Sequence, residues 1–311
     1  MRIAVFGSGG VGGYFGGRLV QAGEEVIFIA RGEHLEAMQK DGLRVASSKG
    51  SFLIQPVQAT SDPRRVGMVD IVLLAVKAWQ VDEAAQAMRT MIGEETGVVF
   101  LGNGVDAVAQ LVAALSARHV LGGRCQISAL IAAPGQIQHV GIEPRIAFNE
   151  LDGRASQRVE NLRQAFERAG VNVTVPEDIL AAIWEKFIFI AAVSGLGAIT
   201  RAPAGVFRSV PETRRMLEGA IAETVQAARG MKINLPENIA AQTLASIDAM
   251  GADIMASMTR DILAGRPSEL GAQNGAVARL GLELGIPTPI HTAIYASLLP
   301  LELKARGELQ F

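Results

Sequence analysis

The chain has a single cysteine, Cys125, which excludes an internal disulfide and points to a reducing compartment, the cytoplasm. It is also short of charge. Asp, Glu, Lys and Arg make up 19% of its 311 residues and nearly cancel, leaving a net charge of −2. That balance indicates no polyanion, so no nucleic-acid partner is expected. Nor is there an apolar run of membrane length. The stretch closest to one, Phe187–Thr200, is uncharged over 14 residues, whereas a bilayer span needs about 20. It reads as a buried helix, and no membrane partner is expected. The N-terminus lacks the form of a signal peptide, because its first apolar run, Ile3–Phe6, stops at glycine. No long linker, low-complexity tract or internal repeat interrupts the chain, and no metal site is expected.

What is present is apolar bulk, 49% of residues, and glycine, 34 residues. This fits a compact chain long enough for two domains. The stretch Met1–Arg31 organises the rest. Ile3–Phe6 reads as a buried parallel strand. Gly7-Ser8-Gly9-Gly10-Val11-Gly12 then supplies G-x-G-x-x-G, a helix is expected over about Gly12–Ala22 with Gly23 as its stop, and Val26–Ala30 is a second buried strand. In this βαβ setting the glycines allow a tight turn, close approach of the backbone to a pyrophosphate, and packing of helix on strand. The helix start offers free N–H groups to the phosphates. Arg31 closes the second strand, where NAD-preferring sites usually carry an acid. An arginine suits a 2′-phosphate instead, so NADP is the expected cofactor. The competing readings are a surface arginine, and Glu33 two residues on.

Further along, a helix is expected near His34–Lys40, and a hairpin pairs Leu43–Val45 with Phe52–Val57. Strands at Asp70–Val76, Gly97–Leu101 and from Val120 alternate with helices at about Val81–Met91 and Val105–Ala114. Such alternation predicts a parallel, doubly wound sheet of Rossmann type, whose ligands lie beyond the carboxyl ends of strands. Lys77 and Asn103 occupy two such ends. Each has a bland alternative: a solvated loop lysine, and turn chemistry in Asn103-Gly104. Gln126–Ile131 and Gln136–Val140 read as a hairpin about Ala133-Pro134-Gly135. A strand at Arg145–Asn149, a helix at Ser156–Ala169 and a strand at Asn172–Val175 close this part. Pro176-Glu177-Asp178 is expected to open a helix, and the pattern is helical from there on. The fold class is therefore α/β with an all-helical C-terminal part, divided as 1–175 and 176–311.

The helical part holds a second constellation. Lys186, Ile190 and Ser194 share one helix face at i, i+4 and i+8. A lysine set among Ile183, Trp184, Phe187 and Phe189 either snorkels, pairs with Glu185, or works as a proton donor. Ser257 is expected near the end of a helix, and Glu269 in the first turn of the next, with Asn274 beyond it. Helix chemistry alone explains such a glutamate, and packing explains the serine.

Taken together, Gly7-x-Gly9-x-x-Gly12, Arg31, Lys77-Ala-Trp-Gln80, Leu101-Gly-Asn103-Gly, Trp184-Glu-Lys186-Phe and Ser257-Met-x-x-Asp261 followed by Glu269 resemble the ketopantoate reductase (2-dehydropantoate 2-reductase) family along essentially the whole chain. The resemblance implies an N-terminal Rossmann domain, a helical C-terminal domain and an active site in the cleft between them. It implies reduction of a 2-keto acid by NADPH, with 2-dehydropantoate to pantoate, in pantothenate biosynthesis, as the expected reaction. Lys186 would protonate the ketone oxygen, and Glu269 would orient Lys186 and the substrate hydroxyl. Asn103 would lie by the nicotinamide and the substrate, Lys77 by the cofactor, and Ser257 by the substrate carboxylate. The partner is then a small-molecule 2-keto acid, and a homodimer is the assembly to test for. One departure stands out. Members that reduce ketopantoate often carry asparagines one and two turns after the lysine, where this chain has Ile190 and Ser194, so another 2-keto acid is an alternative substrate. Two other classes stay open: a related dehydrogenase acting on a 3-hydroxy acid or hydroxyacyl thioester, and a non-catalytic NADPH-binding sensor.

Overall fold

The computed structural model describes all 311 residues, Met1–Phe311. Contacts group them into two units, residues 1–102 with 107–179, and residues 103–106 with 180–311. In chain order the first unit holds β1 (Arg2–Phe6), α1 (Gly10–Gln21), β2 (Glu25–Ile29), α2 (Gly32–Asp41), β3 (Leu43–Ala46), β4 (Phe52–Ile54), β5 (Ala59–Thr60), β6 (Val69–Leu74), α3 (Val81–Ala87), β7 (Ile92–Phe100), α4 (Asp106–Leu115), β8 (Val120–Gln126), β9 (Ala129–Ala133), β10 (Gln136–His139), β11 (Arg145–Glu150), α5 (Gln157–Arg168) and β12 (Asn172–Thr174).

Eight strands form one sheet in the order β12-β11-β8-β7-β6-β1-β2-β5. The six from β8 to β5 are mutually parallel, and β1 and β6 bury nearly every residue. Burial on both faces is why these strands read as unbroken apolar runs. The chain leaves β1 towards β2 on one side and returns to β6 on the other. The carboxyl ends of β1 and β6 therefore form the switch point where such sheets bind ligands. Several expectations are corrected by this arrangement. β11 runs antiparallel to β8, and the two hairpins are not separate. β3 pairs in parallel with β10, joining them in a four-stranded sheet β4-β3-β10-β9. Gln126 ends β8 rather than opening the second hairpin, whose first strand starts at Ala129. α1 begins two residues before Gly12 and packs tightly where its glycines face the sheet: a Cβ on Gly16 would come within 2.5 Å of the Phe28 ring. Phe15, Phe28, Phe148 and Phe166 are fully buried in the core of this unit.

The second unit holds α6 (Ile179–Thr200), α7 (Ala204–Phe207), α8 (Pro211–Gly230), α9 (Ile239–Asp248), α10 (Ser257–Leu263), α11 (Asn274–Leu284) and α12 (Pro289–Ala305). α6 is 22 residues long and apolar on every side, and its most apolar window is 72% buried in the structure, which makes it a core helix. Three element boundaries differ from those expected. α6 starts at Ile179, and Pro176 lies before it with its carbonyl accepting from Asn149 Nδ2 at 2.9 Å. Ser257 starts a helix instead of ending one. The carbonyls of Ala252 and Ile254 accept from the N–H groups of Gly205 and Ala204, so the connection from α9, which turns at 251–254, stays non-helical up to the extended Ala256. Glu269 lies in a turn ahead of α11, because the Ser268 N–H is taken by the Glu302 carboxylate and Gln273 has a non-helical backbone.

Candidate active site

The first unit contributes a turn between β1 and α1. Gly7 adopts φ +98°, a conformation side chains rarely take, and a Cβ there would meet the Ala75 carbonyl at 2.9 Å. A Cβ on Gly12 would lie 2.0 Å from the Gly7 carbonyl oxygen, whereas one on Gly9 would meet nothing within 4 Å. The turn is thus closed towards the sheet and open at Gly9. Gly9 caps α1 without a side-chain bond, and the first turn of the helix has no acid. The free N–H groups and positive dipole end are the elements of an anion cradle, and the residues present fit a dinucleotide pyrophosphate. Ser8 offers backbone only: its hydroxyl donates to the Ile29 carbonyl at 3.0 Å. Gly10 and Val11 form the first turn of α1.

Arg31 lies just past β2 at the N-terminal boundary of α2. Its guanidinium pairs with Glu83 at 2.9 Å, and both side chains are about two-thirds exposed. Lys77 follows β6, half-buried, with Nζ 5.9 Å from the centroid of the Trp79 ring.

In the second unit Lys186, Ile190 and Ser194 lie along α6, the first two half-buried and Ser194 fully buried. The Ser194 hydroxyl has no hydrogen-bond partner. Asn103, although it follows β7, groups with this unit and donates from Nδ2 to Glu269 Oε2 at 2.9 Å. Asp106 pairs with Arg279 at 2.5 Å, so residues 103–106 are fastened at both ends. Glu269 is 4% exposed. Ser257 is the first residue of α10. The structure thus brings Asn103 to Glu269, keeps Lys186, Ile190 and Ser194 on one helix, and draws Arg31 to Glu83.

Sequence reasoning missed the supports. Glu302 accepts from the Ser268 hydroxyl at 2.5 Å and from Arg306 Nε at 2.7 Å, and Arg306 also reaches the Ser268 carbonyl at 3.2 Å. This buried cluster fixes the residue that precedes Glu269. Asn274 donates to the Ala191 carbonyl at 3.1 Å and lies 3.0 Å from His291 Nδ1. In the sequence, His34 is only one residue of an expected helix. The one local signal for any of these was an acid inside the apolar run Leu301-Glu302-Leu303.

The family model for ketopantoate reductase PanE/ApbA matches residues 3–153, and the model for its C-terminal part matches residues 178–302. An uncharacterised oxidoreductase of Bacillus subtilis is 29% identical over 298 residues, covering 96% of this chain and 98% of that protein. A 2-dehydropantoate 2-reductase of Mesorhizobium japonicum is 28% identical over 317 residues, covering 95% of this chain and 96% of that protein. The crystal structure of a PanE/ApbA family ketopantoate reductase from Ralstonia eutropha superposes with a TM-score of 0.90 at 30% identity, covering 98% of this chain and 100% of that one. With the open glycine turn in one unit and the Asn103–Glu269 pair in the other, the chain belongs to the ketopantoate reductase family of nicotinamide-dependent oxidoreductases.

Proposed function

We propose that this protein uses NADPH to reduce a 2-keto acid to the 2-hydroxy acid, and that the substrate is 2-dehydropantoate and the product pantoate. The observation that carries the reading is the 2.9 Å bond from Asn103 to Glu269, which orients a buried carboxylate in the unit that bears Lys186. When bound, the nicotinamide supplies the hydride. The chain's own groups do the rest. The N–H groups at Gly9 and the start of α1 hold the pyrophosphate, and Lys77 supports the cofactor from the end of β6. Arg31 takes the 2′-phosphate. Its pair with Glu83 is exposed, and such pairs are worth about 0–1 kcal/mol, so a phosphate displaces the carboxylate at little cost. Lys186 gives a proton to the ketone oxygen, and its charge steadies that oxygen as negative charge develops. Glu269 orients Lys186 and the substrate hydroxyl, Asn103 holds Glu269, and Ser257 binds the substrate carboxylate.

A second substrate reading is favoured by α6 itself. Ile190 is apolar and half-buried one turn from Lys186, and Ser194 is sealed in the core. A wall of this kind favours a 2-keto acid without the 4-hydroxyl of ketopantoate. Steady-state NADPH oxidation against a panel of 2-keto acids tests both readings. The first predicts the highest kcat/KM for 2-dehydropantoate, and the second predicts it for a des-hydroxy analogue. Cofactor binding with no oxidation by any keto acid would instead support a sensor.

A further inference from the structure

His34, in the first turn of α2, is hydrogen-bonded on both sides. The Gly135 N–H, in the β9–β10 turn, donates to its Nδ1 at 3.0 Å, and its Nε2 lies 2.9 Å from the Ser8 carbonyl. Nδ1 accepts, so the ring proton is on Nε2 and is donated to Ser8; one neutral tautomer satisfies both bonds. Burial lowers the imidazole pKa from its ordinary 6.5, opposed by the Ser8 carbonyl, which favours the charged form. No titratable side chain faces it from residues 7–12 or 133–136, and its own helix carries Glu33 and Glu36 beside it.

The hairpin touches the glycine turn directly as well. A Cβ on Gly10 would lie 2.2 Å from the Ala129 carbonyl oxygen, and one on Gly13 would lie 2.8 Å from Ile137 Cγ1. Ser8 is therefore held from two directions, its hydroxyl on β2 and its carbonyl on His34. The Ser8 carbonyl and the Gly9 N–H belong to one planar peptide and point opposite ways. Anchoring the carbonyl on His34 therefore fixes the direction of the Gly9 N–H, in a turn that has open space beside the Gly9 Cα.

We propose that His34 is a positioning residue for the cofactor. It ties the four-stranded sheet to the glycine turn and sets the direction of the Ser8–Gly9 peptide that meets the pyrophosphate. The inference rests on the reading of this turn as the nicotinamide-cofactor site. The test is titration of the full-length protein with NADPH and with NADH, followed by nicotinamide fluorescence, together with kcat at saturating cofactor, for the unmutated chain, His34→Phe and His34→Gln. Phenylalanine keeps the bulk and loses both bonds, while glutamine carries an acceptor and a donor on one planar group. His34→Phe is expected to weaken cofactor binding about tenfold, the effect of a lost hydrogen bond, with kcat changed less than about twofold. His34→Gln is expected to restore most of the affinity. Should His34→Phe fail to fold, His34→Ala takes its place with the same expectation. Unchanged affinity in the Phe or Ala variant, a Gln variant as weak as either, or a kcat that falls as far as the affinity would each overturn the proposal. An unmutated protein that binds neither cofactor would overturn the cofactor reading of the turn, and this inference with it.

Discussion

Asn103 donates its side-chain amide to Glu269, 166 positions further along the chain, at 2.9 Å. The acceptor is nearly sealed from water, with 4% of Glu269 exposed. Removing a donor from a buried carboxylate costs about 1–3 kcal/mol. Asn103→Ala is therefore expected to lower kcat/KM for the keto acid by about 10–100-fold, if that orientation serves the reaction. Steady-state kinetics at saturating NADPH check this, and wild-type kcat/KM in the variant would show that the bond serves only folding.

The proposed preference for NADPH rests on Arg31. Arg31→Ala is expected to raise the KM for NADPH by about tenfold and to change that for NADH little, because only NADPH carries the phosphate that the guanidinium would grip. The pair with Glu83 is exposed, so its loss leaves stability nearly unchanged. An unmutated protein that uses NADH as well as NADPH contradicts the assignment.

Ile190 stands one turn from Lys186 on α6, half-buried. Ile190→Asn adds hydrogen-bonding capacity at that wall. It should shift the ratio of kcat/KM values towards ketopantoate and away from its des-hydroxy analogue, by about 1–1.5 kcal/mol if one net hydrogen bond is gained. An unchanged ratio would make Ile190 a packing residue with no part in reading the hydroxyl.

Stability should fall in mild acid because of His291. The ring is 0% exposed, its Nδ1 faces the Asn274 amide, and its Nε2 lies 2.9 Å from the Ala220 carbonyl. Burial pushes its pKa down from 6.5 to about 4, against the pull of that carbonyl. The unfolded chain takes up this proton near pH 6.5 and the folded chain only near 4, so between those values the unfolded state binds more protons. The stability that neutral His291 contributes is complete above pH 6.5 and falls by about 3 kcal/mol on reaching pH 4. Glu223, whose carboxyl burial pushes up against the N–H groups of His291 and Ile290, acts in the opposite sense. Urea unfolding of the protein and of His291→Gln across this range isolates the histidine: the difference between the two should change with pH by about that amount, and a constant difference refutes it.

The legible parts of this protein were those with a local cause. The β1–α1–β2 unit shows in an apolar run, three glycines and a second apolar run. The shared face of Lys186, Ile190 and Ser194 follows from helix geometry alone. The family could be read from the order of these pieces, and the matches along the chain bear it out. What stayed hidden depends on residues distant in sequence. The pairing of β3 with β10 leaves no local period, because it joins segments about 90 residues apart, with the Arg44 N–H on the Gly135 carbonyl at 2.9 Å. The starts of α10 and α11 are decided by bonds to Gly205 and Glu302, so the periodicity around Ser257 and Glu269 misplaced both. Glu302 looks like an ordinary i, i+4 partner of Arg306, which it is, and its hold on Ser268 appears only in the fold. His34 reads as one polar residue in a polar helix until Gly135 and Ser8 are beside it.

Lys186 is proposed to donate the proton in keto-acid reduction. The most direct test is kcat for 2-dehydropantoate at saturating NADPH, in the unmutated protein and in Lys186→Ala, with cofactor binding followed separately by fluorescence. The expected result is a fall of about 10²–10⁴ in kcat, the range for a lost general acid, with NADPH still bound. A variant that binds NADPH and keeps nearly the full kcat would contradict it, and Lys186 would then be a lysine that merely extends its stem over the apolar surface of α6.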